Sequence, residues 1–442
     1  MPGPDLLYLV GAALAGTLAA ALLGCVPGLH VYSAAGLVVA LAARAPGALP
    51  EDLLAMFLLG MTVGYAVVNT VPAIFGGAPD ESTLFVVLPG QRYLLQGQGI
   101  EAAAVTGAGS LGGLLALLLL APLLPRALPT LRAIVAPHLH WILGAVVLYM
   151  LLSEWPKGFD REKSRVGRLA GGWRSPGAGL LTFVLSGLLG MALFYGGLVP
   201  PEAGFQNLFP AFTGLFAIPW VAANLVSRVP VPRQEAAGSL DLTPALLARG
   251  VFAGTLGGFL AAFFPGVTGG IGGLLAGQAT AQRDDRLFLV SQGACKVVYY
   301  AGAFLLLFVP GLHLSRGGMA SMLGILYTPR TPALYWAAVG AAALCGALAF
   351  GLLLALSRGA AWLVARVDYR RVSAAVLVLL VALVLAVTGP RGLLVAAVAT
   401  AIGLIPLLFG ARRSDCLGVL LVPLTLQLAG LGPAVAGWLG LA

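Results

Sequence analysis

Ten stretches of about 20 apolar residues, almost free of charge, constrain this chain more than any other feature. They lie near 53–75, 102–121, 133–152, 178–198, 208–226, 286–308, 332–356, 372–388, 391–409 and 416–440. Each is long enough to cross a hydrocarbon core of about 30 Å as a helix. Of 442 residues, 60% are hydrophobic and 9% charged, with a mean hydropathy of +0.98. A soluble domain carries roughly 25% charged residues, so soluble folds are excluded, as are disorder, collagen and disulfide-rich secreted scaffolds. The net charge of +9 does not imply nucleic acid. Its basic residues fall in loops between apolar runs, and no soluble domain is left to carry a basic face. Cys25, Cys295, Cys345 and Cys416 are scattered without metal-ligand spacing, so they read as packing residues. Asp5 stands where a signal peptide would be basic, and Leu6–Val26 reads as a permanent segment.

Two further apolar stretches, 6–43 and 246–282, are split by Pro27-Gly28 and Pro265-Gly266. Proline removes a backbone donor and glycine tolerates the bend. Each stretch is therefore a kinked span followed by a second helix, or a re-entrant hairpin that does not cross. Loop charge favours the hairpin. With Lys157, Arg161, Lys163, Arg165, Arg168 and Arg174 in the cytoplasm, a non-crossing 246–282 places the later basic clusters on the same side. Those clusters are Arg228 with Arg233, Arg283 with Arg286, Arg358 to Arg371, and Arg412 with Arg413.

The split stretches are also related in sequence. Ala15-Gly16-Thr17-Leu18 precedes Pro27-Gly28 by eight residues, and Ala253-Gly254-Thr255-Leu256 precedes Pro265-Gly266 by the same eight. An odd number of crossings separates the copies, which turns the second one over. The expected architecture is an inverted-topology repeat with two Pro-Gly-broken re-entrant hairpins and about ten transmembrane helices. Its parts are a first membrane repeat (1–154), a basic cytoplasmic loop (155–177), connecting helices (178–245), a second inverted repeat (246–371) and C-terminal helices (372–442). In secondary transporters, interrupted helices at matching positions mark the binding site, and their free N-termini suit anions.

Polar residues inside apolar sequence name the candidate site. His30 follows Pro27 and Gly28. Asn69 and Thr70 lead into Gly76, Gly77 and the adjacent carboxylates Asp80 and Glu81, a candidate coupling-ion site. Pro265, Gly266, Thr268, Gly269 and Gly270 offer backbone amides and a hydroxyl to an oxyanion. Lys296 lies ten residues inside the span 286–308, too deep to snorkel easily, so it is expected to pair with Asp80, Glu81, Asp284 or the substrate anion. His138 and His140, beside Trp141, read as interfacial.

These residues together resemble the large membrane subunit of the tripartite tricarboxylate transporters, in its shorter branch. The strings that carry the resemblance are CVPGLH at 25–30, VPAIFGGAPDESTLFVVLPGQR at 71–92, FPAFTGLFAIP at 209–219, AAFFPGVTGG at 261–270 and IGLIPLLFGARRSDCLGVLLVP at 402–423. The resemblance implies carboxylate uptake driven by a proton or sodium gradient. It also implies two partners, a small membrane subunit and an extracytoplasmic solute-binding protein. The Pro265–Gly270 string is similar, in addition, to a motif of the polyprenyl-phosphate translocases.

The leading expectation is a secondary transporter for an organic anion, multi-pass in the cytoplasmic membrane, with a homodimer among the assemblies considered. The runner-up is a translocase for an anionic polyprenyl-phosphate lipid. An enzyme is not expected, because no His-Glu-x-x-His or Gly-x-Ser-x-Gly motif and no intramembrane aspartate pair occurs. No cofactor is expected, and no nucleic-acid partner.

Overall fold

The computed structural model describes residues 5–26, 29–44, 50–77, 80–156, 164–198, 208–226, 231–235, 240–280, 284–329 and 331–441. Of the positions singled out above, Pro27, Gly28, Lys157, Arg161, Lys163, Arg228 and Arg283 lie outside these residues. The described residues form helices and no strand: α1 (Leu6–Gly24), α2 (Val31–Arg44), α3 (Glu51–Val68), α4 (Thr70–Phe75), α5 (Val87–Leu95), α6 (Gly99–Leu120), α7 (Leu124–Val135), α8 (Leu139–Leu152), α9 (Arg165–Tyr195) and α10 (Leu208–Phe212). There follow α11 (Ile218–Val226), α12 (Pro244–Phe263), α13 (Gly269–Ala279), α14 (Asp285–Leu305), α15 (Gly317–Leu323), α16 (Pro332–Arg366), α17 (Tyr369–Phe409), α18 (Gly418–Leu428) and α19 (Gly432–Trp438). Ten of the described helical segments are long and apolar enough to cross a membrane. A further pair, Arg413–Leu428 and Gly432–Trp438, is bent by 116°.

One boundary differs from the sequence reading. The basic segment 155–177 is already helical from Arg165, because the Ser164 hydroxyl accepts the Gly167 amide at 3.0 Å and caps α9. At 31 residues α9 is about 46 Å long, longer than a hydrocarbon core, so its basic first turns need no separate loop. The spans expected at 372–388 and 391–409 do meet at a break, where Gly389 at φ +68° interrupts the helical run of α17 before Pro390. Finally, α1 and α12, with 19 and 20 residues, each reach about 30 Å, whereas α2 and α13 have only 14 and 11 residues. The first arm of each broken stretch is thus long enough to cross alone, and the second is not.

The chain forms two compact units, residues 1–133 with 224–376, and residues 134–223 with 377–442. In the first, α1 packs along α3 and α12 along α14. Glycine makes both contacts possible. A Cβ on Gly16 would lie 1.9 Å from the Phe57 carbonyl oxygen, and one on Gly254 would lie 2.2 Å from that of Ser291. Without side chains the backbones touch, the packing used where water offers no hydrophobic drive between helices. The Thr17 hydroxyl bridges the first pair by donating to the Gly60 carbonyl at 3.1 Å. The long helices then cross over: α6 covers α12 and α14, while α16 covers α1 and α3. As a result α3 and α14 are almost wholly enclosed beyond their first turns, and Thr62, Tyr65, Ser291, Gln292 and Lys296 on them are buried.

In the second unit, α18 packs against α8 and α9, and the turn Arg413–Leu417 fits beside α8, α9 and the π-helical turn Thr213–Ala217. Phe209, Val384 and Ala396 form a small buried apolar cluster there.

Candidate functional site

The α3–α4 junction is built by Pro72, which has no amide to return to Val68 and so opens the helix at Asn69 and Thr70. Lys296, fully buried on α14, fills that opening. Its ammonium donates to Asn69 Oδ1 at 2.6 Å and to Thr70 Oγ1. This corrects the expected pairing, since no carboxylate contacts the lysine directly. Asp284, one of the partners considered, instead caps α14 by accepting the amides of Arg286 and Leu287. Asp80 reaches Lys296 only through Asn69, whose Nδ2 donates to Asp80 Oδ2 at 3.0 Å. An ammonium has three donors. Two are used by protein, the charge has no adjacent counter-ion among the described residues, and a buried unpaired charge costs several kcal/mol.

Asp80 and Glu81 are neighbours with opposite surroundings. Asp80 Oδ1 accepts from the amides and hydroxyls of Ser82 and Thr83 at 2.8–2.9 Å. Its Oδ2 accepts from Tyr65 at 2.7 Å as well as from Asn69. Burial pushes this carboxyl up, but nearby His30 and the hydroxyl donors outweigh it and hold Asp80 below the usual carboxylate range. Its acceptor capacity is committed to shaping the 80–83 turn. Glu81 accepts from Tyr300 at 3.0 Å and from His30 Nε2 at 3.1 Å, both on Oε1, while Oε2 is buried without a partner among the described residues. His30 Nδ1 accepts the Tyr32 amide at 3.2 Å, which puts the ring proton on Nε2, facing Glu81. The imidazole is surrounded by the rings of Tyr32, Tyr65 and Tyr300.

The second break reaches the same residues. Gly266, at φ +75°, turns the chain after Pro265 in a conformation that favours glycine. Thr268 then caps α13, its hydroxyl accepting the Ile271 amide at 3.5 Å. The first turn of α13 is wedged between α14 and the 80–83 turn. A Cβ on Gly269 would meet the Tyr299 ring at 3.1 Å, and one on Gly270 would lie 2.4 Å from the Glu81 carbonyl oxygen. The Cys295 thiol donates to the Gly269 carbonyl at 3.2 Å. His30, just past the first break, and Gly270, just past the second, therefore both touch Glu81.

Gly76 and Gly77 lie apart from this cluster, at the far end of α4. The Gly76 carbonyl accepts from Asn224 at 3.5 Å, and a Cβ on Gly77 would press on Asn224, Gln91 and Tyr369. Two residues escaped the sequence reading. Tyr65 lies one turn before Asn69, a spacing that placed both on one face of α3. Gln292 lies one turn before Lys296, is 1% exposed, has neither amide atom partnered, and fills the space left by Gly273. Both were legible only as polar residues in a span.

Chemically, the cluster offers an ammonium with a spare donor, a carboxyl with an open oxygen, and an imidazole positioned to pass a proton to it. His30, Asp80 and Glu81 present ligand atoms within 4.8 Å of one another, a separation suited to a metal ion. With Asp80 already accepting from six donors and His30 Nε2 turned to Glu81 and Tyr300, the set fits proton exchange better than coordination.

Comparison with known proteins identifies the family. The family model described as "Tripartite tricarboxylate transporter TctA family" matches residues 10–418. An uncharacterized protein of Methanocaldococcus jannaschii is 28% identical over 326 residues, 73% of each chain. No solved structure matches. The chain belongs to the tripartite tricarboxylate transporter TctA family, a family of transporter components and not of enzymes, and it is a multi-pass membrane protein.

Proposed function

We propose that this TctA family member is a secondary transporter of the cytoplasmic membrane that carries a tricarboxylate-class anion by alternating access, coupled to protons. The observation that carries the reading is Lys296, a buried ammonium with an unused donor and no carboxylate in contact. The anion supplies the missing charge, held between Lys296, the Asn69–Thr70 opening and the first turn of α13. A buried charge left without its partner is costly, so an anion that supplies one relieves that cost.

Glu81 is the coupling group, taking a proton on Oε2 and exchanging it with His30. Asp80 holds the turn and does not itself exchange. Two features support an inverted repeat beneath this arrangement. Gly16 and Gly254 occupy the same place in the two AGTL strings and make the same backbone contact with a partner helix. The exchange of α6 and α16 between the two helix pairs is also what two interlocked, related halves produce. A small membrane subunit and an extracytoplasmic binding protein complete the tripartite assembly.

The test is uptake of labelled citrate by cells carrying the chain with its partner subunits. Uptake that collapses with the proton gradient, and that Lys296→Ala abolishes while the protein still reaches the membrane, supports the reading. Full uptake by Lys296→Ala removes the lysine from the site. Uptake that follows a sodium gradient alone removes protons as the coupling ion.

A further inference from the structure

The C-terminal string at 402–423 plays no part in the site above, yet it carries a buried carboxylate of its own. In the second unit, Glu154 ends the α8 segment at 5% exposure and Asp415 sits in the turn Arg413–Leu417 at 1%. Both side chains converge on Gly179 of α9. Glu154 Oε2 lies 2.5 Å and Asp415 Oδ2 2.6 Å from the point a Cβ on Gly179 would occupy. Only glycine leaves room there for two carboxyl groups.

The two acids are supported differently. Glu154 is cradled: Ser175 donates to its Oε1 at 2.7 Å, and the Arg412 amide donates to Oε1 and Oε2 at 3.1 and 3.3 Å. Among the described residues Asp415 has no hydrogen-bond partner on either oxygen, and both are buried. Cations are close but turned away. The Arg412 guanidinium donates to Ser153, and that of Arg413 lies 3.6 Å over the Trp220 ring, with Nη1 and Nη2 unpartnered. Arg174 of α9 lies over Phe409 at 4.8 Å, and among the described residues the buried Cys416 thiol is a further titratable neighbour. No ion pair to either carboxylate forms among the described residues.

Two buried carboxylates that meet without a counter-ion cannot both be ionised. A metal ion does not suit the point of convergence, because both Glu154 oxygens already accept from Ser175 or the Arg412 amide. A hydrogen does. We propose that Glu154 and Asp415 form a proton-binding site in the second unit, one carboxyl and one carboxylate sharing a single exchangeable proton. The ligand is the proton itself. When it leaves to solvent base, two like charges remain and the pair must separate or draw in Arg412. The π-helical turn Thr213–Ala217 packs on the same segment, and such turns gather at functional sites.

The site is tested without any substrate, so its outcome is separate from that of the anion reading. Infrared difference spectra of the purified chain, titrated from neutral to alkaline pH, should lose a carboxylic-acid C=O band. That band should be absent from both Asp415→Asn and Glu154→Gln and retained in Glu81→Gln, which separates it from the first unit. Thermal stability gives a second measurement. A folded state holding a proton that the unfolded chain has lost becomes less stable as pH rises. The wild type should therefore lose stability on the alkaline side, and Asp415→Asn, whose amide donates in place of the proton, should lose less. A wild-type spectrum with no such band overturns the proposal, as does a band that survives both substitutions or one displaced by sodium at fixed pH.

Discussion

The two broken stretches of the first unit begin alike and end differently. Each has a long first helix held to its partner by a glycine at matching positions, Gly16 on α3 and Gly254 on α14. Past the break they diverge. The first presents a side chain, His30, whose ring proton faces Glu81. The second presents the lack of one: Gly269 and Gly270 bring the first turn of α13 against Tyr299 and the Glu81 backbone. One interruption bears a titratable group beside Glu81, and the other, bare of side chains, brings the first turn of α13 against the same residue.

Substitutions that erase this difference should have graded effects. Gly270→Leu gives the second break a side chain and should act most strongly. Even its Cβ lies 2.4 Å from the Glu81 carbonyl, so the 80–83 turn must shift by about an ångström. A displacement of that size costs on the order of 100-fold in a preorganised site, read as citrate binding by the purified chain. Wild-type affinity would show that the wedge is not needed. Gly266→Leu should come next. At φ +75° a side chain costs about 1–2 kcal/mol, seen as roughly tenfold weaker binding and a lower unfolding temperature.

On the side of the first break the expected change is in pH response more than in affinity. Glu81→Gln removes the exchangeable proton while keeping shape, so uptake should lose its dependence on the proton gradient and citrate affinity should fall less than tenfold. An unchanged gradient dependence would move the coupling group elsewhere. Tyr300→Phe should do least. It deletes one of the two donors to Glu81 Oε1, about 0.5–1.5 kcal/mol, and should shift the pH midpoint of uptake with only a few-fold loss of rate. Loss of all uptake would make Tyr300 more than a supporting donor.

The sequence displayed some of this well. Lys296, Asn69, Thr70 and Glu81 stand out because a polar group inside an apolar run is costly without a purpose. Their partners were not legible. Asn69 and Lys296 are separated by 227 positions, and only the packing of α3 on α14 brings them together. The adjacent acids Asp80 and Glu81 could not be told apart either, since the distinction lies in which hydroxyls the 80–83 turn directs at each. Gln292 was invisible as a candidate because amides are common in polar helices and only its burial makes it unusual. Glu154 and Asp415 looked like ordinary charges at span ends. The helix boundary at Arg165 was hidden by a basic run that reads as loop until Ser164 is recognised as a cap.

The central claim is that Lys296 is the unpaired charge an anion completes, and ligand-dependent stability tests it most directly. A ligand that binds the folded chain raises its unfolding temperature in proportion to saturation. Citrate should raise that temperature for the wild type and leave Lys296→Ala unmoved, although the variant folds. Equal stabilisation of the two would contradict the account.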